Sequence, residues 1–208
     1  MSVSNFNSPY QAEKRRLTEN VDNAKLENVR KAIDYTDMDL ILFPEGSLKN
    51  VNNTIVSEKH LVGKSVALYF SNGTDPKCRS FLPFLQQYYK TINEGGSRQK
   101  IEIIFVSTDP DRKSFEDHKK HMPWLYIDIE DPLTDTLKKH FKILDHHEMP
   151  FYGSGAKSDS PCLIVIGSDG REAQILHICT GRDEGEKGIL RWDFRNNIYS
   201  LNKNDTTY

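Results

Sequence analysis

The sequence predicts an α/β protein whose central mixed sheet is flanked by helices. Two apolar runs of strand length, KSVALYFS and KIEIIFVS, have the near-continuous hydrophobicity of strands that are buried on both faces. Segments with apolar residues at helical spacing alternate with these runs. A Ser-Asp-Gly turn within PCLIVIGSDGREAQIL predicts an antiparallel hairpin late in the chain. Strands that alternate with helices are typical of a sheet that is covered on both sides.

The predicted elements follow the order βαβα, then a further helix, a β-hairpin and a last helix. MDLILFPEGSL is predicted to be a short buried strand followed by a turn, and NVNNTIVS a hairpin-like connection. A helix is predicted from Cys78 to Ile92, with Pro83 kinking it near its start. The helix DRKSFEDHKKHM, the segment PWLYIDI and the helix DPLTDTLKKHFKI follow the second strand. A long Gly/Ser loop precedes the hairpin, and residues 182–198 are predicted to form the last helix.

Four segments are predicted along the chain. Residues 1–9 are small and polar, which is typical of a disordered tail. Residues 10–36 have apolar positions at helical spacing and few helix breakers, so they are predicted to form an amphipathic helical extension. Residues 37–199 are assigned to the α/β domain, and residues 200–208 to a flexible tail.

Composition and charge exclude several classes of protein. The chain has 208 residues and a formal net charge of −2, with acidic and basic residues mixed along its length, so a nucleic-acid-binding protein is not expected. No apolar run approaches the ~20 residues of a membrane-spanning helix. Cys78, Cys162 and Cys179 stand far apart and fit neither a disulfide framework nor a metal site. A reducing cytoplasm is therefore the expected compartment, and no cofactor is expected.

Two groups of histidines are candidate metal ligands. His146 and His147 precede Glu148 in the Gly/Ser loop, but no further ligand stands at a recognisable spacing, so they are predicted to be solvated loop residues. His118 and His121 are three positions apart on a polar helix and are predicted to lie on the surface. No metal site is therefore expected.

A family resemblance is carried by several separated motifs in a fixed order, which are LVGKSVALYFS, CRSFLPFLQQYYK, IEIIFVSTD, FEDHKKHMPWLYI, SPCLIVIGSDGR and DEGEKGILRWDF. Together they resemble the tryparedoxin and nucleoredoxin branch of the thioredoxin superfamily, over roughly residues 40–195. The resemblance implies a thioredoxin-like fold, in which parallel strands come first and an antiparallel hairpin comes last.

The sequence departs from that family at the redox motif. The family has an aromatic residue, a cysteine, two further residues and a second cysteine at the start of the first long helix. The matching positions here are Thr74, Asp75, Pro76, Lys77 and Cys78. An aspartate therefore stands where the attacking cysteine belongs, and the second cysteine alone remains.

The chemistry of Asp75 and Cys78 favours structure over redox catalysis. Disulfide reduction needs one thiolate that attacks and a second thiol that resolves the mixed disulfide. The charge of Asp75 is expected to raise the pKa of Cys78, with Lys77 offsetting part of this effect. A carboxylate at a helix N-terminus also caps free backbone amides. Asp75 is therefore predicted to be a structural cap, and Cys78 a weakly reactive thiol.

Pro161 matches the proline that the family holds in the cis form opposite the active-site helix. The resemblance places Ser160 and Cys162, its two neighbours, close to Cys78. Two possibilities stay open for Cys162, which are a disulfide with Cys78 and a small buried side chain in a strand. Cys179 is predicted to belong to the core.

These observations predict a redox-inactive binding or structural protein rather than an enzyme. The missing cysteine and the added helix resemble the thioredoxin-like proteins associated with the cortical microtubules of apicomplexan parasites. That resemblance implies a cytoskeletal protein of the cytoplasm that binds tubulin, microtubules or a microtubule-associated protein, without membrane insertion. The candidate contact residues in the helical extension and the loop are Lys14, Arg15, Arg16, Arg30, Lys31, His146 and His147.

Two alternative functions stay open. One is a single-cysteine thiol oxidoreductase or peroxidase that uses Cys78. The other is a chaperone-like scaffold that holds a partner peptide in the groove around Pro161, with its backbone paired to a strand edge.

Overall fold

The computed structural model describes residues 42–96, 98–143, 158, 160–178 and 182–200. The predicted tail 1–9, the predicted helical extension and residues 201–208 lie outside this range. Most of the Gly/Ser loop, with His146 and His147, also lies outside it. Among the described residues, no helix combines the length and the apolar character needed to cross a membrane.

A six-stranded mixed sheet forms the centre of the domain. Its strands are Leu48–Lys49 (β1), Ser65–Ser71 (β2), Ile101–Ser107 (β3), Leu125–Ile127 (β4), Cys162–Ile166 (β5) and Glu172–His177 (β6). They lie side by side in the order β1-β4-β3-β2-β5-β6. The pairs β2–β3 and β3–β4 are parallel, whereas β1–β4, β2–β5 and β5–β6 are antiparallel.

The helices within the described residues are Pro76–Asn93 (α1), Arg112–Lys119 (α2), Pro132–Phe141 (α3) and Arg182–Ile189 (α4), and a 3-10 turn spans Glu58–Leu61. Both α1 and α3 begin with an Asp-Pro pair. Asp75 accepts a hydrogen bond from Lys77 N at 2.8 Å, and Asp131 accepts one from Leu133 N at 2.9 Å. Proline suits the first helical turn because that position has no intrahelical partner for an N–H group.

The core lies on both faces of the sheet, because every residue of β2 and β3 is buried. Strand alternation sends successive side chains to opposite faces. One face packs against α3, and its members include Val66, Leu68, Phe70, Leu137 and Phe141. The other face packs against α1, α2 and α4, and its members include Tyr69, Phe81, Leu85, Phe115 and Ile189. The α/β architecture with helices on both sides of a mixed sheet is thus confirmed.

Two predicted elements are shorter than the sequence indicated. The first strand is confined to Leu48–Lys49, because the chain turns at Pro44, whose carbonyl accepts hydrogen bonds from Ser47 N at 3.1 Å and Ser47 Oγ at 2.7 Å. The last helix ends at Ile189 rather than at residue 198. Beyond it, Trp192 turns inward and donates from Nε1 to Ser65 Oγ at 2.9 Å.

Candidate functional site

The loop between β2 and α1 places the degenerate redox motif at the carboxyl edge of the sheet. Asp75 is the N-cap of α1, with Pro76 in the first turn. Its carboxylate binds Lys77 N in the same way as the carboxylate of Asp131 binds the amide at the start of α3. The aspartate that occupies the attacking position is therefore engaged in an ordinary helix cap.

The loop is fastened to itself and to α1 by side-chain hydrogen bonds. Asn72 Oδ1 accepts from Thr74 N at 2.8 Å and from Thr74 Oγ1 at 2.7 Å. Arg79 donates from Nη1 to Gly73 O at 2.9 Å and to Thr74 O at 2.6 Å. These contacts hold the backbone that covers the start of the helix.

Cys78 lies beneath this loop and is 0% exposed. Asn72 N–H donates a hydrogen bond of 3.4 Å to its sulfur. Burial, as the largest cause, raises the pKa of the Cys78 thiol from 9.0 to about 11. The Asn72 amide and the nearby hydroxyls of Ser71 and Ser160 lower the pKa, and the charge of Asp75 raises it. The expected effect of Asp75 is thus present, but desolvation outweighs it.

The Ser160–Pro161 peptide bond is cis, so the chain holds a cis-proline at the position that the motif indicated. Ser160 is 2% exposed, and its hydroxyl makes no geometrically complete hydrogen bond within the described residues. That hydroxyl nevertheless lies close enough to Cys78 to lower the pKa of its thiol.

Cys162 is the first residue of β5 and pairs with Phe70 of β2. Its side chain belongs to the α3 face of the sheet, together with Phe70, whereas α1 packs on the opposite face. Both Cys78 and Cys162 are buried, and neither forms a disulfide within the described residues. Of the two possibilities for Cys162, the structure therefore has the small buried side chain rather than the disulfide.

A buried carboxylate next to this loop was missed in the sequence. Asp109 follows β3 and accepts hydrogen bonds from Gly73 N at 2.6 Å and from Ser107 Oγ at 2.7 Å. A usable signal existed, because β2 and β3 are parallel neighbours and the residues that follow such strands meet at one edge of the sheet.

The prediction that His118 lies on the surface is wrong. His118 is 5% exposed, and its Nδ1 lies 3.3 Å from Asp109 Oδ2. It is buried because the ring packs edge-on against Phe105, with centroids 5.0 Å apart. Gly73 can pack closely against His118 because it has no side chain. A Cβ at position 73 would lie 2.8 Å from His118 Cβ. His121 is exposed, as predicted.

The remaining candidate residues lie outside the described part of the chain. They are Lys14, Arg15, Arg16, Arg30, Lys31, His146, His147 and Cys179. Their expected roles therefore stay predictions. Within the described part, no group of three or more His, Cys, Asp or Glu side chains could hold a metal ion.

Known proteins of similar sequence are named for thiol redox chemistry. The chain is 34% identical over 181 residues to probable nucleoredoxin 1 of Arabidopsis thaliana, which covers 84% of this chain and 27% of that protein. The chain thus spans about a quarter of the length of this relative. The expected resemblance to nucleoredoxins is confirmed.

Solved structures give the same result at the level of the fold. A thioredoxin of Wuchereria bancrofti is 28% identical, with a TM-score of 0.51 over 66% of this chain and 84% of that one. Native tryparedoxin I of Crithidia fasciculata is 25% identical, with a TM-score of 0.51 over 75% of this chain and 94% of that one. The predicted thioredoxin-like fold is therefore confirmed.

These matches correct one expectation. The missing attacking cysteine predicts a non-enzyme. The nucleoredoxins and tryparedoxins that the chain matches are thiol oxidoreductases, which contradicts that prediction. The sequence profile described as Thioredoxin-like matches residues 63–172, which is more than half of the 208 residues. On this match, the chain belongs to the thioredoxin-like family.

Proposed function

We propose that this chain is a thioredoxin-like redox domain that exchanges disulfides through a single cysteine, Cys78. The observation that carries the proposal is the backbone hydrogen bond to its sulfur. Asn72 N–H donates to Sγ at 3.4 Å. A donor at this place favours the thiolate, which is the nucleophile in disulfide exchange, while burial raises the pKa of the thiol overall. The kinship with nucleoredoxins supports the same chemistry.

The exchange is written with one sulfur from this chain. Cys78 loses its proton to solvent, and the thiolate attacks a sulfur of the partner's disulfide. The partner's S–S bond breaks, a mixed disulfide with Cys78 forms, and the other half of the partner leaves as a thiolate. A further thiol, from the partner or from a small thiol in solution, then attacks the partner's sulfur in the mixed disulfide. A new disulfide forms between that thiol and the partner, and Cys78 leaves as a thiolate.

The further thiol is assigned to another molecule because Cys78 is the one cysteine that remains in the motif. Asp75, at the other cysteine position, caps α1 and has no thiol. Cys162 belongs to the α3 face of the sheet, whereas α1 packs on the opposite face, so its place does not favour attack on a mixed disulfide at Cys78.

The geometry also predicts that this exchange is slow at neutral pH. Cys78 is 0% exposed, so a reagent reaches it after the covering loop opens. With a thiol pKa of about 11, on the order of one molecule in ten thousand carries the thiolate at pH 7. The rate of exchange is therefore expected to rise with pH, about tenfold for each unit between pH 7 and pH 10.

The test uses glutathione disulfide as a small model disulfide. The full chain carrying C162S and C179S has Cys78 as its single thiol. Intact-mass spectrometry after timed incubation from pH 7 to pH 10 measures the mixed disulfide. The expected result is an adduct whose rate rises with pH in folded protein, and which is absent from a matched C78S chain in the same background.

One outcome would overturn the proposal. If folded protein forms no adduct even at pH 10, while the same chain reacts after unfolding in urea, Cys78 does not exchange in the native state. Circular dichroism at each pH value confirms that the chain is folded during the measurement.

Association with tubulin, microtubules or a microtubule-associated protein is a second proposal, with a cytoplasmic and cytoskeletal location. It is supported by the resemblance in overall plan and by the basic residues of 10–36, which include Lys14, Arg30 and Lys31. Co-sedimentation with preassembled microtubules across a salt series tests it. Saturable pelleting that is lost on deletion of residues 1–36 is the expected result, and pelleting that survives this deletion would contradict the assigned contact.

A further inference from the structure

A cleft of about 640 Å³ lies between α1 and α2, next to the Gly73–Thr74 end of the loop. This volume falls within the range of small-molecule sites, which is roughly 300–1,000 Å³. Cys78 does not line the cleft. The cleft is therefore a feature separate from the proposed exchange at sulfur.

Two helical stripes face each other across the cleft. On each wall the lining positions recur every three or four residues, as expected for one face of a helix. They include Arg79, Leu82 and Gln86 on α1, Ser114 and His118 on α2, and His121 just beyond α2. At one end, Gln86 Nε2 donates to the carbonyl of His121, which ties the two walls together.

His118 brings a buried hydrogen-bonding atom to this cleft. Its side chain is 3% exposed, and its Nε2 is buried without a hydrogen-bond partner among the described residues. Its Nδ1 lies 3.3 Å from Asp109 Oδ2, and a carboxylate accepts, so Nδ1 carries the hydrogen in the neutral ring. Nε2 is then left with a lone pair that a ligand reaches after a small movement of the cleft wall, because this atom is buried.

The orientation of His118 is fixed by a carboxylate that is itself held in place. Asp109 accepts from Gly73 N at 2.6 Å and from Ser107 Oγ at 2.7 Å. A histidine positioned by a carboxylate in this way presents its far nitrogen in a defined direction. An unpartnered buried polar atom is unfavourable, so a ligand that supplies the missing hydrogen-bond partner is expected to gain affinity.

The charged side chains at the cleft indicate which functional group a ligand would carry besides the one that contacts His118. Arg79 is exposed, and its Nη1 donates hydrogen bonds to the carbonyl oxygens of Gly73 and Thr74. Its other nitrogens have no hydrogen bond within the described residues and suit a carboxylate. The opposing Asp117 is already paired with Lys120 at 2.8 Å.

We propose that this cleft binds a small carboxylate that also carries a hydroxyl or thiol group. The carboxylate accepts from Arg79, the hydroxyl or thiol hydrogen is donated to His118 Nε2, and Leu82 and Pro83 contact the carbon body. No covalent step is involved, and binding does not require Cys78. Failure of disulfide exchange at Cys78 would therefore leave this proposal intact, and the reverse also holds.

The test titrates the full chain with glycolate, thioglycolate and acetate at constant pH and ionic strength. Long-range ¹H–¹⁵N NMR spectra of protein with ¹⁵N-labelled histidine follow the imidazole nitrogens, and the His118 signals are identified by their loss in H118F. Saturable movement of His118 Nε2 is expected with glycolate or thioglycolate, and the tighter of the two identifies the preferred donor. Acetate, which lacks the donor, is expected to bind at least fivefold more weakly.

Two variants and one control complete the experiment. H118F keeps a planar ring but removes the acceptor, and R79Q removes the exposed cation, so each is expected to lower glycolate affinity at least fivefold. The control is E94Q, which alters an exposed carboxylate outside the lining of the cleft and is expected to leave affinity unchanged. If H118F does not fold, R79Q still decides. Equal binding of acetate and glycolate, or movement of other histidines without His118, would overturn the proposal.

Discussion

Asn72 N–H donates a hydrogen bond of 3.4 Å to Cys78 Sγ, and the two residues are 4% and 0% exposed. The amide belongs to the loop that covers the start of α1, and the sulfur lies under that loop. Three influences therefore act on the pKa of this thiol. Hydrogen-bond donors lower the pKa, whereas burial and the charge of Asp75 raise it. Because burial is the largest of these causes, protonation of Cys78 is linked to the folding of the domain.

The linkage predicts a loss of stability in alkali that depends on Cys78. The unfolded chain ionises this thiol near pH 9, whereas the folded chain holds its pKa at about 11. The folded state therefore binds more protons between these values, and the free energy of unfolding falls as pH rises from 9 to 11. Relative to C78S, the loss is expected to reach about 1.4 kcal/mol by pH 10.

Urea unfolding of both chains at pH 7, 8, 9 and 10 measures this difference. Tyrosines such as Tyr88, whose pKa is raised by burial alone, affect both chains equally and cancel. A difference between wild type and C78S that stays constant across the series would contradict the raised pKa.

Asp75 offers a separate prediction, because its cap and its charge can be tested independently. D75A removes the hydrogen bond to Lys77 N and is expected to lower stability by about 0.5–2 kcal/mol. D75N keeps a capping oxygen without the charge, so stability is expected to change little while the pKa of Cys78 falls. Urea unfolding and the pH dependence of Cys78 alkylation measure the two effects.

D131A is the matched control for D75A, since Asp131 caps α3 with the same Asp-Pro arrangement. It is expected to lower stability by a similar amount and to leave the alkylation of Cys78 unchanged. A shift of Cys78 reactivity in D131A as large as that in D75N would show that helix stability, rather than the charge of Asp75, controls the thiol.

Restoring the missing cysteine is expected to restore dithiol chemistry. D75C places a thiol at the N-cap of α1, where the helix dipole and exposure favour its thiolate, with Cys78 three residues later to resolve a mixed disulfide. Catalysed reduction of insulin disulfides by dithiothreitol is expected to exceed that of the wild type at least tenfold. The double variant D75C/C78S should instead accumulate a mixed disulfide, and turnover by this variant equal to that of D75C would contradict resolution by Cys78.

The sequence could predict the sheet and the helix that carries the motif, because both rest on local patterns. The continuous apolar run of β2 is buried at every position, and α1 contains the whole predicted segment from Cys78 to Ile92. The cap by Asp75 was also accessible, since aspartate before proline is a common start of a helix.

Contacts between distant residues were beyond the reach of these patterns. His118 lies on a helix with many charged residues, and its burial follows from the Phe105 ring and the Asp109 carboxylate, which belong to another element. The pKa of Cys78 likewise depends on burial under the loop and on Ser160, which lowers it and is 82 positions away in the sequence. Periodicity indicates which face of a helix is apolar, but it does not indicate which polar residue a neighbouring loop will cover.

Glu102 carries a stability prediction at the opposite end of the sheet. Its side chain is 3% exposed and lies 3.1 Å from Lys64 Nζ, with Tyr89 OH donating to it at 3.0 Å. E102Q would leave the ammonium of Lys64, which is 11% exposed, without its charge partner. A loss of about 3–5 kcal/mol in the free energy of unfolding is expected.

E94Q is the control, because Glu94 forms an exposed pair with Lys90 at 3.6 Å. Exposed pairs contribute about 0–1 kcal/mol, so urea unfolding of E94Q should differ little from the wild type. If E102Q and E94Q lower stability equally, the buried network does not stabilise the domain.

Gly73 connects the packing of α2 to the exposure of Cys78. An added Cβ would lie 2.8 Å from both Cβ and Cγ of His118, and His118 is held by Asp109 and Phe105, so the loop rather than the ring must shift. G73A is therefore expected to destabilise the domain by about 1–3 kcal/mol. Because the same loop provides the Asn72 amide that contacts Cys78, alkylation of Cys78 by iodoacetamide should also become faster in folded G73A.

The control is G96A, whose added Cβ would meet its nearest heavy atom at 3.4 Å and should change neither measurement. Faster alkylation of Cys78 in G96A would contradict this link between Gly73 and Cys78. An alkylation rate equal to that of the wild type in a destabilised G73A would also contradict it.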